Sequence, residues 1–287
     1  MARDRDPIPA EMKRLLRQEA WFGCCRCGAP FIQYHHILGY ERTHHGQAEM
    51  MVLCPSCHAL ATDGAFQLQD QYQAKQSPHN RLRGFATGMF YITTSAIIIK
   101  AGTNLFVGRG AKIRTEGEEL LCLHRTPEGR IEVSLQLNDE ADRSLLTLIH
   151  NEWVAGDPTL WDMEFKPRHI RIRQRKGAIY LELDARMELV SICGTLWCKG
   201  RCVSLERFFL TVGAPHRVKI AGLAFFDQGI ELSPDGMFLT NLTDPKTPSA
   251  FMPFDPFQDT RTVVETVLGS YAQWQRTAAA SLGDAAG

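Results

Sequence analysis

The chain has 287 residues, of which 44% are hydrophobic and 22% are charged, which is typical of a soluble globular protein with one large or two smaller domains. Its 32 lysines and arginines equal its 32 acidic residues, so net charge neither favours nor excludes a nucleic-acid partner. No stretch approaches the roughly 20 apolar residues that cross a bilayer, and the charged start lacks a secretory apolar core, so we expect a cytoplasmic protein without a membrane partner.

The first predicted element is a helix within "IPAEMKRLLRQEAW". Lys13, Arg14 and Arg17 could meet phosphates from one face of this helix, and solvated surface charge is the competing interpretation. Residues 1–70 carry 7 basic and 8 acidic side chains, so this part of the chain has no strong basic field of its own. We therefore name these three residues as the candidate nucleic-acid contacts.

Cysteines and histidines are concentrated before residue 60, and the cysteines there form two pairs with the spacing of metal knuckles. One pair is Cys24 and Cys27, and the other is Cys54 and Cys57. In a reduced cytosol such pairs bind metal more often than they form disulfides, and four thiolates make a closed tetrahedral Zn²⁺ site. The pattern predicts a structural zinc on these four residues. Cys25 is interpreted as a spare, with its recruitment in place of Cys24 as the alternative.

Three further histidines are not needed by that zinc, because four cysteines saturate it. His35 and His36 lie in "FIQYHHIL", which has the pattern of a short strand and would point the two side chains to opposite faces. His58 directly follows the second knuckle and is expected to open a helix. Since the zinc would hold the two knuckles together, strand, hairpin and helix are expected to converge on one small cleft.

The order "CCRCG", "YHHI" and "LCPSCH" resembles the HNH endonuclease module, a zinc-stapled ββα-metal fold, over about residues 7–70. The segment "IPAEMKRLLRQEAWFGC" is similar to the basic helix that leads into that module. The resemblance implies that His36 is the general base, that His35 and His58 bind a catalytic divalent cation, and that the four cysteines hold the structural zinc. It implies hydrolysis of phosphodiester bonds in DNA, with RNA left open.

That reaction needs an activated water and stabilisation of charge on the phosphate and on the leaving oxygen. A neutral imidazole near pH 7 can take the proton, and an ion bound to the phosphate and leaving oxygens supplies the rest. Two histidine ligands are unusual for Mg²⁺ and suit Mn²⁺, Co²⁺ or Ni²⁺ better. We expect Mg²⁺ or Mn²⁺ as the catalytic ion.

One position departs from the family pattern. The middle Asn of the family falls five residues before the third cysteine, where this chain has Glu49. An ionised Glu accepts hydrogen bonds but donates none. It would hold the loop through backbone N–H groups, orient His36, add a carboxylate to the metal, or weaken activity. We favour the orienting role and therefore assign Glu49 to the catalytic residues with His36. His44 and His45 are interpreted as loop residues, with a DNA contact as the alternative.

The pattern changes after residue 72. Residues 73–88 are polar and then Gly-rich, which predicts a linker, with the tail of a helix at its start as the alternative. Between 89 and 242, short apolar or alternating runs such as "RIEVSLQL" are separated by turn signals and predict an all-β domain, either a sandwich or a β-solenoid. Trp153 and Trp161 are expected to fill its core. The segment 243–287 is Pro-rich and then helical, with an apolar stripe that is expected to pack on its own domain. The stripe comprises Val264, Val267, Leu268, Tyr271 and Trp274.

The sequence thus predicts an α+β protein, with an HNH zinc module in residues 1–72 and a C-terminal all-β domain that ends in a helix. That domain would supply target choice, a regulatory contact or an oligomer interface, and a restriction or phage-defence setting follows by family analogy alone. One competing interpretation is a zinc-dependent protein that binds nucleic acid without cutting it. Another is a nuclease gated by a ligand of the β domain, and a protein partner or second copy could bind through the C-terminal region.

Overall fold

The structure is a computed structural model that describes residues 6–40, 45–83, 92–93, 97–115, 117–157, 160–166, 168–187, 189–212, 218–233, 236–242 and 250–283. These residues form a mixed α and β protein in which strands predominate, as the α+β prediction required. The chain divides into two compact units. Unit 1 comprises Met1–Met89 and Glu152–Ile179, and unit 2 comprises Phe90–Asn151 and Tyr180–Gly287. Within the described ranges, no helix is both long and apolar enough to cross a membrane.

The secondary structure of the described residues is dominated by short strands. The helices are α1 (Ala10–Glu19), α2 (Pro55–Thr62), α3 (Leu68–Gln76), α4 (His79–Arg83) and α5 (Thr260–Gly283). The strands, in chain order, are β1 (Gln33–His36), β2 (Met50–Leu53), β3 (Ile92–Thr93), β4 (Ile97–Ala101), β5 (Asn104–Gly108), β6 (Gly110–Thr115), β7 (Glu118–Arg125), β8 (Arg130–Asn138), β9 (Ser144–Ile149), β10 (Glu152–Gly156), β11 (Asp162–Lys166), β12 (His169–Arg175), β13 (Ala178–Asp184), β14 (Val190–Cys198), β15 (Arg201–Leu205), β16 (Leu210–Val212), β17 (Val218–Ile220), β18 (Leu223–Phe226), β19 (Gln228–Ser233), β20 (Gly236–Asn241) and β21 (Ala250–Pro253).

The core of unit 1 forms where α1 packs on the β1–β2 hairpin. Strand β2 is the uninterrupted apolar run "MMVL", and all four of its residues are buried. It pairs antiparallel with β1, which sets His35 opposite Met51 and His36 opposite Met50. Leu16 of α1 is buried in the same cluster as β2 and as three knuckle cysteines, Cys24, Cys54 and Cys57. The apolar core of unit 1 therefore lies directly beside the predicted metal site.

Helix α2 begins where the second knuckle ends. Cys54 is its N-cap, and the Cys54 sulfur accepts a hydrogen bond from the backbone N–H of Cys57 at 3.4 Å. Pro55 occupies the first helical position, where a missing N–H costs nothing because that group has no partner within the helix. The knuckle and the helix start are thus one continuous turn. His58 lies in the first turn of α2, as the sequence predicted.

Part of the predicted linker is helical and packed. Helix α3 extends to Gln76, and α4 covers His79–Arg83. Lys75 pairs with Glu19 at 2.5 Å, and the buried Asn80 donates to the carbonyl of Trp21 at 3.1 Å. The segment is polar in composition because its buried side chains use hydrogen bonds and an ion pair instead of apolar contacts. Residues 84–88 of the predicted linker lie outside the described residues.

The first knuckle depends on a close approach between Gly28 and α4. Gly28 has φ +78°, a left-handed conformation that a side chain disfavours, and its N–H donates to the carbonyl of Cys24 at 2.8 Å. A Cβ at this position would lie 2.3 Å from Oδ1 of Asn80. Glycine is therefore required both for the turn of the knuckle and for the packing of α4 on it.

Unit 1 also contains a hairpin that the sequence analysis assigned to the β domain. Strands β11 and β12 pair antiparallel, with Met163 opposite Ile172. The ring of Phe165 contacts that of Phe31 at 5.2 Å between centroids, and Gln18 of α1 donates to the carbonyl of Trp161 at 2.6 Å. A segment from the middle of the chain thus returns to the N-terminal unit.

Unit 2 is built of antiparallel hairpins joined by a few parallel pairs. In one sheet β9, β8, β7 and β6 follow one another, β19 runs parallel to β6, β20 pairs with β19, and β3 pairs with β8. In the other sheet the order is β13, β14, β4, β5, β18 and β21, and β15 to β17 extend from β14. Among the described strands neither sheet closes into a barrel.

Helix α5 packs on unit 2 along the predicted apolar stripe. Val267 is fully buried and Val263 nearly so, in one cluster with Leu105 of β5 and Phe226 of β18. The other stripe residues are partly buried against that cluster. The hydroxyl of Tyr271 also donates to Asp227 at 2.7 Å. The prediction that this stripe packs on its own domain is confirmed.

Candidate metal centre and histidine site

The four predicted cysteines converge on one point of unit 1. The sulfurs of Cys24, Cys27, Cys54 and Cys57 all lie within 4.8 Å of one another. The Sγ atom of Cys27 is 3.7 Å from that of Cys54 and 3.8 Å from that of Cys57. Sulfurs placed about 2.3 Å from a tetrahedral Zn²⁺ are separated by roughly 3.8 Å. The cluster therefore has the donor set and the spacing that a structural zinc ion requires.

The surroundings of Cys24 and Cys57 oppose free thiolates unless a cation is present. Burial raises the pKa of Cys24. Burial and the neighbouring cysteine sulfurs raise the pKa of Cys57 to about 11. Burial acts in the same direction on Cys54, but hydrogen bonds from the backbone N–H of Cys57 and from neighbouring thiols lower the pKa of Cys54 below its ordinary value. A bound Zn²⁺ would supply the positive charge that four thiolates need.

Cys25 occupies the spare position that the sequence analysis gave it. It is 4% exposed, and its N–H donates to the carbonyl of Val52 at 3.0 Å. Its carbonyl accepts from the N–H of His79 at 2.9 Å. Burial raises the pKa of the Cys25 thiol to about 11. Cys25 thus serves as a buried core residue that ties β2 and α4 to the first knuckle.

His35 and His58 lie side by side next to the cysteine cluster. Their ring centroids are 4.9 Å apart and the ring planes are nearly perpendicular, at 88°. His35 is buried in β1, while His58 is held by the knuckle, since its N–H donates to the carbonyl of Cys54 at 2.8 Å. Burial, followed by the neighbouring His58, lowers the pKa of His35. A neutral imidazole is the form that binds a metal ion, so this environment favours a ligand role.

Gln71 of α3 fixes which nitrogen of His35 is free. The Gln71 amide donates through Nε2 to the carbonyl of Phe66 at 2.7 Å, so its Oε1 is the atom that faces Nε2 of His35 at 3.0 Å. Because Oε1 only accepts, Nε2 of His35 carries the proton and Nδ1 keeps the lone pair. Such hydrogen bonds orient metal-binding histidines and set their tautomer.

His36 is held by a chain of two hydrogen bonds on the less buried face of β1. Its Nε2 lies 3.2 Å from Nδ1 of His45, and Nε2 of His45 lies 2.9 Å from the backbone carbonyl of Asp6. The carbonyl only accepts, so in the neutral pair the His45 proton is on Nε2 and its Nδ1 accepts from His36. His44 lies outside the described residues.

Glu49 ends the 3₁₀ turn before β2, and its carboxylate faces α3. Its Oε2 accepts a hydrogen bond from the hydroxyl of Tyr72, and this bond is the main cause of the raised pKa of Tyr72. The backbone carbonyl of Glu49 accepts from the N–H of Ile37 at 2.8 Å. Glu49 thus joins the end of β1 to α3. An orienting effect of its carboxylate on His36 stays a prediction.

Arg17 serves the packing of unit 1. Its Nε and Nη2 donate to the two carboxylate oxygens of Asp162 at 2.9 and 2.8 Å, and Nη1 donates to the hydroxyl of Tyr34 at 2.5 Å. Arg173 donates to the same Asp162 at 2.7 Å. Burial opposes the charge on Arg17, but the bond to Asp162 raises its pKa above the ordinary value. Arg17 is 7% exposed, so its guanidinium is committed to this network.

Lys13 and Arg14 line a cavity of about 580 Å³ between α1 and the β11–β12 hairpin. The Arg14 guanidinium lies 4.8 Å from the ring of Trp161, and the Lys13 ammonium lies 5.8 Å from the ring of Tyr34. Trp161 is therefore only partly buried, in contrast to the predicted core position, while the side chain of Trp153 lies outside what the structure describes. Both cations remain candidates for phosphate contact.

Comparison with known proteins provides no relative for this chain: no family matches it, and no curated protein or solved structure is significantly similar. The functional interpretation therefore depends on the side chains of the site.

Sequence analysis missed two residues of the site, Gln71 and Tyr72. Both lie in "QLQDQYQAKQ", whose polar composition resembles that of a linker. Gln71 is nevertheless 2% exposed, because both polar ends of its amide have partners. The available signal was the spacing of Tyr72 and Lys75, which places an aromatic ring and a long aliphatic stem on one helical face. Sequence alone could not assign partners to them.

Proposed function

We propose that this protein is a metal-dependent endonuclease that hydrolyses phosphodiester bonds in DNA, with an HNH module in unit 1. The observation that carries the proposal is the pair of His35 and His58, whose rings are 4.9 Å apart beside the four-cysteine cluster. A structural zinc site alone needs no such pair. His36, next in the strand, supplies a third imidazole on the other face of β1.

His35 and His58 would hold the catalytic ion. Two imidazole nitrogens suit Mn²⁺ better than Mg²⁺, so Mn²⁺ is expected to support the higher rate. When bound, such an ion stabilises charge on the phosphate and on the leaving oxygen. Gln71 supports this assignment because it holds His35 in the tautomer with a free Nδ1. The neighbouring zinc would keep His58 in place through the Cys54–Cys57 turn.

His36 would act as the general base. Its imidazole would take a proton from the attacking water, and its Nε2 is held by His45. Lys13 and Arg14 would contact DNA phosphates through Coulomb attraction and hydrogen bonds. Arg17 is left out of that group because its guanidinium is used by Asp162 and Tyr34. Unit 2 would choose the target or regulate cleavage, and restriction or phage defence is the biological setting that we propose.

The test is plasmid nicking by the full-length protein with Mg²⁺ or Mn²⁺. Wild type is compared with His36→Ala and with Gln47→Ala, an exposed residue of the same hairpin loop. We expect His36→Ala to lose at least about 100-fold in rate, because a general base contributes 10²- to 10⁴-fold, while Gln47→Ala cleaves normally. Zinc content is measured in each protein, so that misfolding is separated from lost chemistry.

Equal nicking by wild type and zinc-replete His36→Ala would contradict the assignment of the base. DNA binding without cleavage in every metal tested would favour the non-catalytic binding protein instead. Cleavage that begins only after a small molecule or a protein partner is added would support a gated nuclease with unit 2 as the sensor.

A further inference from the structure

Unit 2 carries a cluster of metal-binding side chains of its own, well separated in sequence from the cysteines. His124 lies in β7, Glu132 lies in β8, and His150 follows β9. Nε2 of His124 is 3.1 Å and Nδ1 of His150 is 3.0 Å from the same oxygen, Oε2 of Glu132. All three ligand atoms lie within 4.8 Å of one another.

The sheet brings these residues together by register. His124 and Glu132 are directly opposite each other in the antiparallel β7–β8 pair, so their side chains share one face. His150 reaches them from the turn after β9, where it has φ +48° and the next residue, Asn151, has φ +67°. The N–H of His150 donates to Oγ of Ser134 at 3.2 Å. The turn is thus directed back over β8.

Asn151 holds that turn in place with three hydrogen bonds to β8. Its Oδ1 accepts from the N–H of Val133 at 2.8 Å, and its own N–H donates to the Val133 carbonyl at 2.9 Å. Its Nδ2 donates to the carbonyl of Ile131 at 2.9 Å. Asn151 is buried, so the position of the neighbouring His150 is set by internal bonds of the sheet.

We propose that His124, Glu132 and His150 bind a divalent first-row transition metal ion. Ligand atoms about 2.1 Å from such an ion lie roughly 3.0–3.4 Å apart in octahedral or tetrahedral geometry, which matches the 3.1 and 3.0 Å measured here. The two imidazole rings are perpendicular, at 89°, so they approach from different directions. Two imidazoles and one carboxylate suit Mn²⁺, Fe²⁺, Co²⁺ or Zn²⁺ and leave positions open.

The open positions would face a cavity. His124 and His150 line a space of about 420 Å³ in unit 2, together with Arg109, Lys112 and Arg125. Lys112 pairs with Glu119 at 2.9 Å, and the two arginines add positive charge to the same walls. An anion such as a phosphate or a carboxylate is the ligand class that a metal ion and these cations would attract together.

The test counts metal ions in the full-length protein and measures Co²⁺ affinity by titration. The variants are His124→Ala, His150→Ala and Glu132→Gln, with Glu119→Gln as a control that removes a carboxylate from the same cavity. Each of the three variants should lose one metal equivalent, and its Co²⁺ affinity should fall by more than the roughly 10- to 100-fold that loss of an outer-shell partner costs. Glu119→Gln should match wild type.

Two variants and the Co²⁺ spectrum distinguish this site from the metal sites of unit 1. His58→Ala should remove the ion of the proposed nuclease site and leave the Co²⁺ site of unit 2, whose visible bands lack thiolate charge transfer. Zinc on the cysteines and the unfolding temperature of unit 1 should be unchanged in His124→Ala. Unchanged metal content and unchanged affinity in His124→Ala and His150→Ala would overturn the proposal and leave a hydrogen-bonded His–Glu–His surface group. Nuclease activity plays no part in either outcome.

Discussion

At the scale of single residues, the hydrogen bonds around the histidines decide their chemistry. His35 and His36 are neighbours in one strand, yet the Nε2 atom of each meets an acceptor: Oε1 of Gln71 for His35 and Nδ1 of His45 for His36. In the ring of His35 this leaves the lone pair on Nδ1. The two side chains lie on opposite faces of β1, so the two rings have different surroundings. The proposed roles, metal ligand for His35 and general base for His36, assign one task to each face.

The prediction at this scale concerns His45, which we expect to act as a positioning residue for His36. His45→Ala should lower the nicking rate about 10- to 100-fold, the usual cost of losing such a partner, with zinc content and Mn²⁺ affinity unchanged. His45→Gln should recover part of the rate, because its Oε1 can still accept from Nε2 of His36. Nicking rates over a range of pH with each variant are the measurement. A zinc-replete His45→Ala that cleaves like wild type would remove His45 from the site.

At the scale of elements, one buried ion pair joins α1 to the β11–β12 hairpin. Arg17 is 7% exposed and Asp162 is 2% exposed, and their bidentate bond is shared with Arg173. Arg173 also donates to Glu164 at 2.5 Å. Burial acts to raise the pKa of Glu164, but this bond and the nearby positive charges outweigh burial, so the pKa is lowered. A charge left alone at this depth would be strongly destabilising.

Arg17→Ala is therefore expected to lower the free energy of unfolding by about 3 kcal/mol, the lower end of the range for breaking a buried pair, because Arg173 still contacts Asp162. Denaturant titration of the full-length protein measures this. Lys13→Ala is the matched control and should change stability by less than about 0.5 kcal/mol, as at most surface positions.

In DNA binding the opposite variant should have the larger effect. Lys13→Ala should reduce the slope of the logarithm of the DNA-binding constant against the logarithm of salt concentration by about one, and Arg17→Ala should leave that slope unchanged. A stable Arg17→Ala with a reduced salt slope would return Arg17 to the phosphate contacts.

The same elements show what could be predicted from the sequence. The cysteine knuckles, the His35–His36 strand and the helix at His58 are local patterns, and spacing alone was enough to place them. The return of Glu152–Ile179 to unit 1 includes a contact between Arg17 and Asp162, 145 residues apart, and no local pattern encodes such a contact. For the segment that forms α3 the sequence indicated only the tail of a helix, and α4 was missed, because the buried side chains of both helices are polar. Likewise, the His124–Glu132–His150 cluster exists only through strand register.

At the scale of the whole molecule, each unit has a core of its own. The cluster of unit 1 surrounds Leu16 and β2, and it includes three of the four cysteines that would bind zinc. The cluster of unit 2 that contains Val267 and Phe226 is formed by α5 with strands of that unit. Because each of these two clusters is formed by residues of one unit, and a domain with its own core can unfold alone, two unfolding transitions are expected for one chain.

Removal of zinc should abolish only one of those transitions. Structural zinc supplies apparent binding energies of about 10–16 kcal/mol in small modules, which is as large as the typical stability of a domain, about 5–15 kcal/mol. Unit 1 should therefore unfold in a strong chelator, or in Cys27→Ser, while unit 2 melts as before. Calorimetry together with limited proteolysis distinguishes the two units, and Cys202→Ser in β15 of unit 2 is the matched cysteine control. A chelated protein that keeps both transitions would show that unit 1 is held by its apolar core and ion pairs without the metal, and the four-cysteine cluster would then lose its structural role.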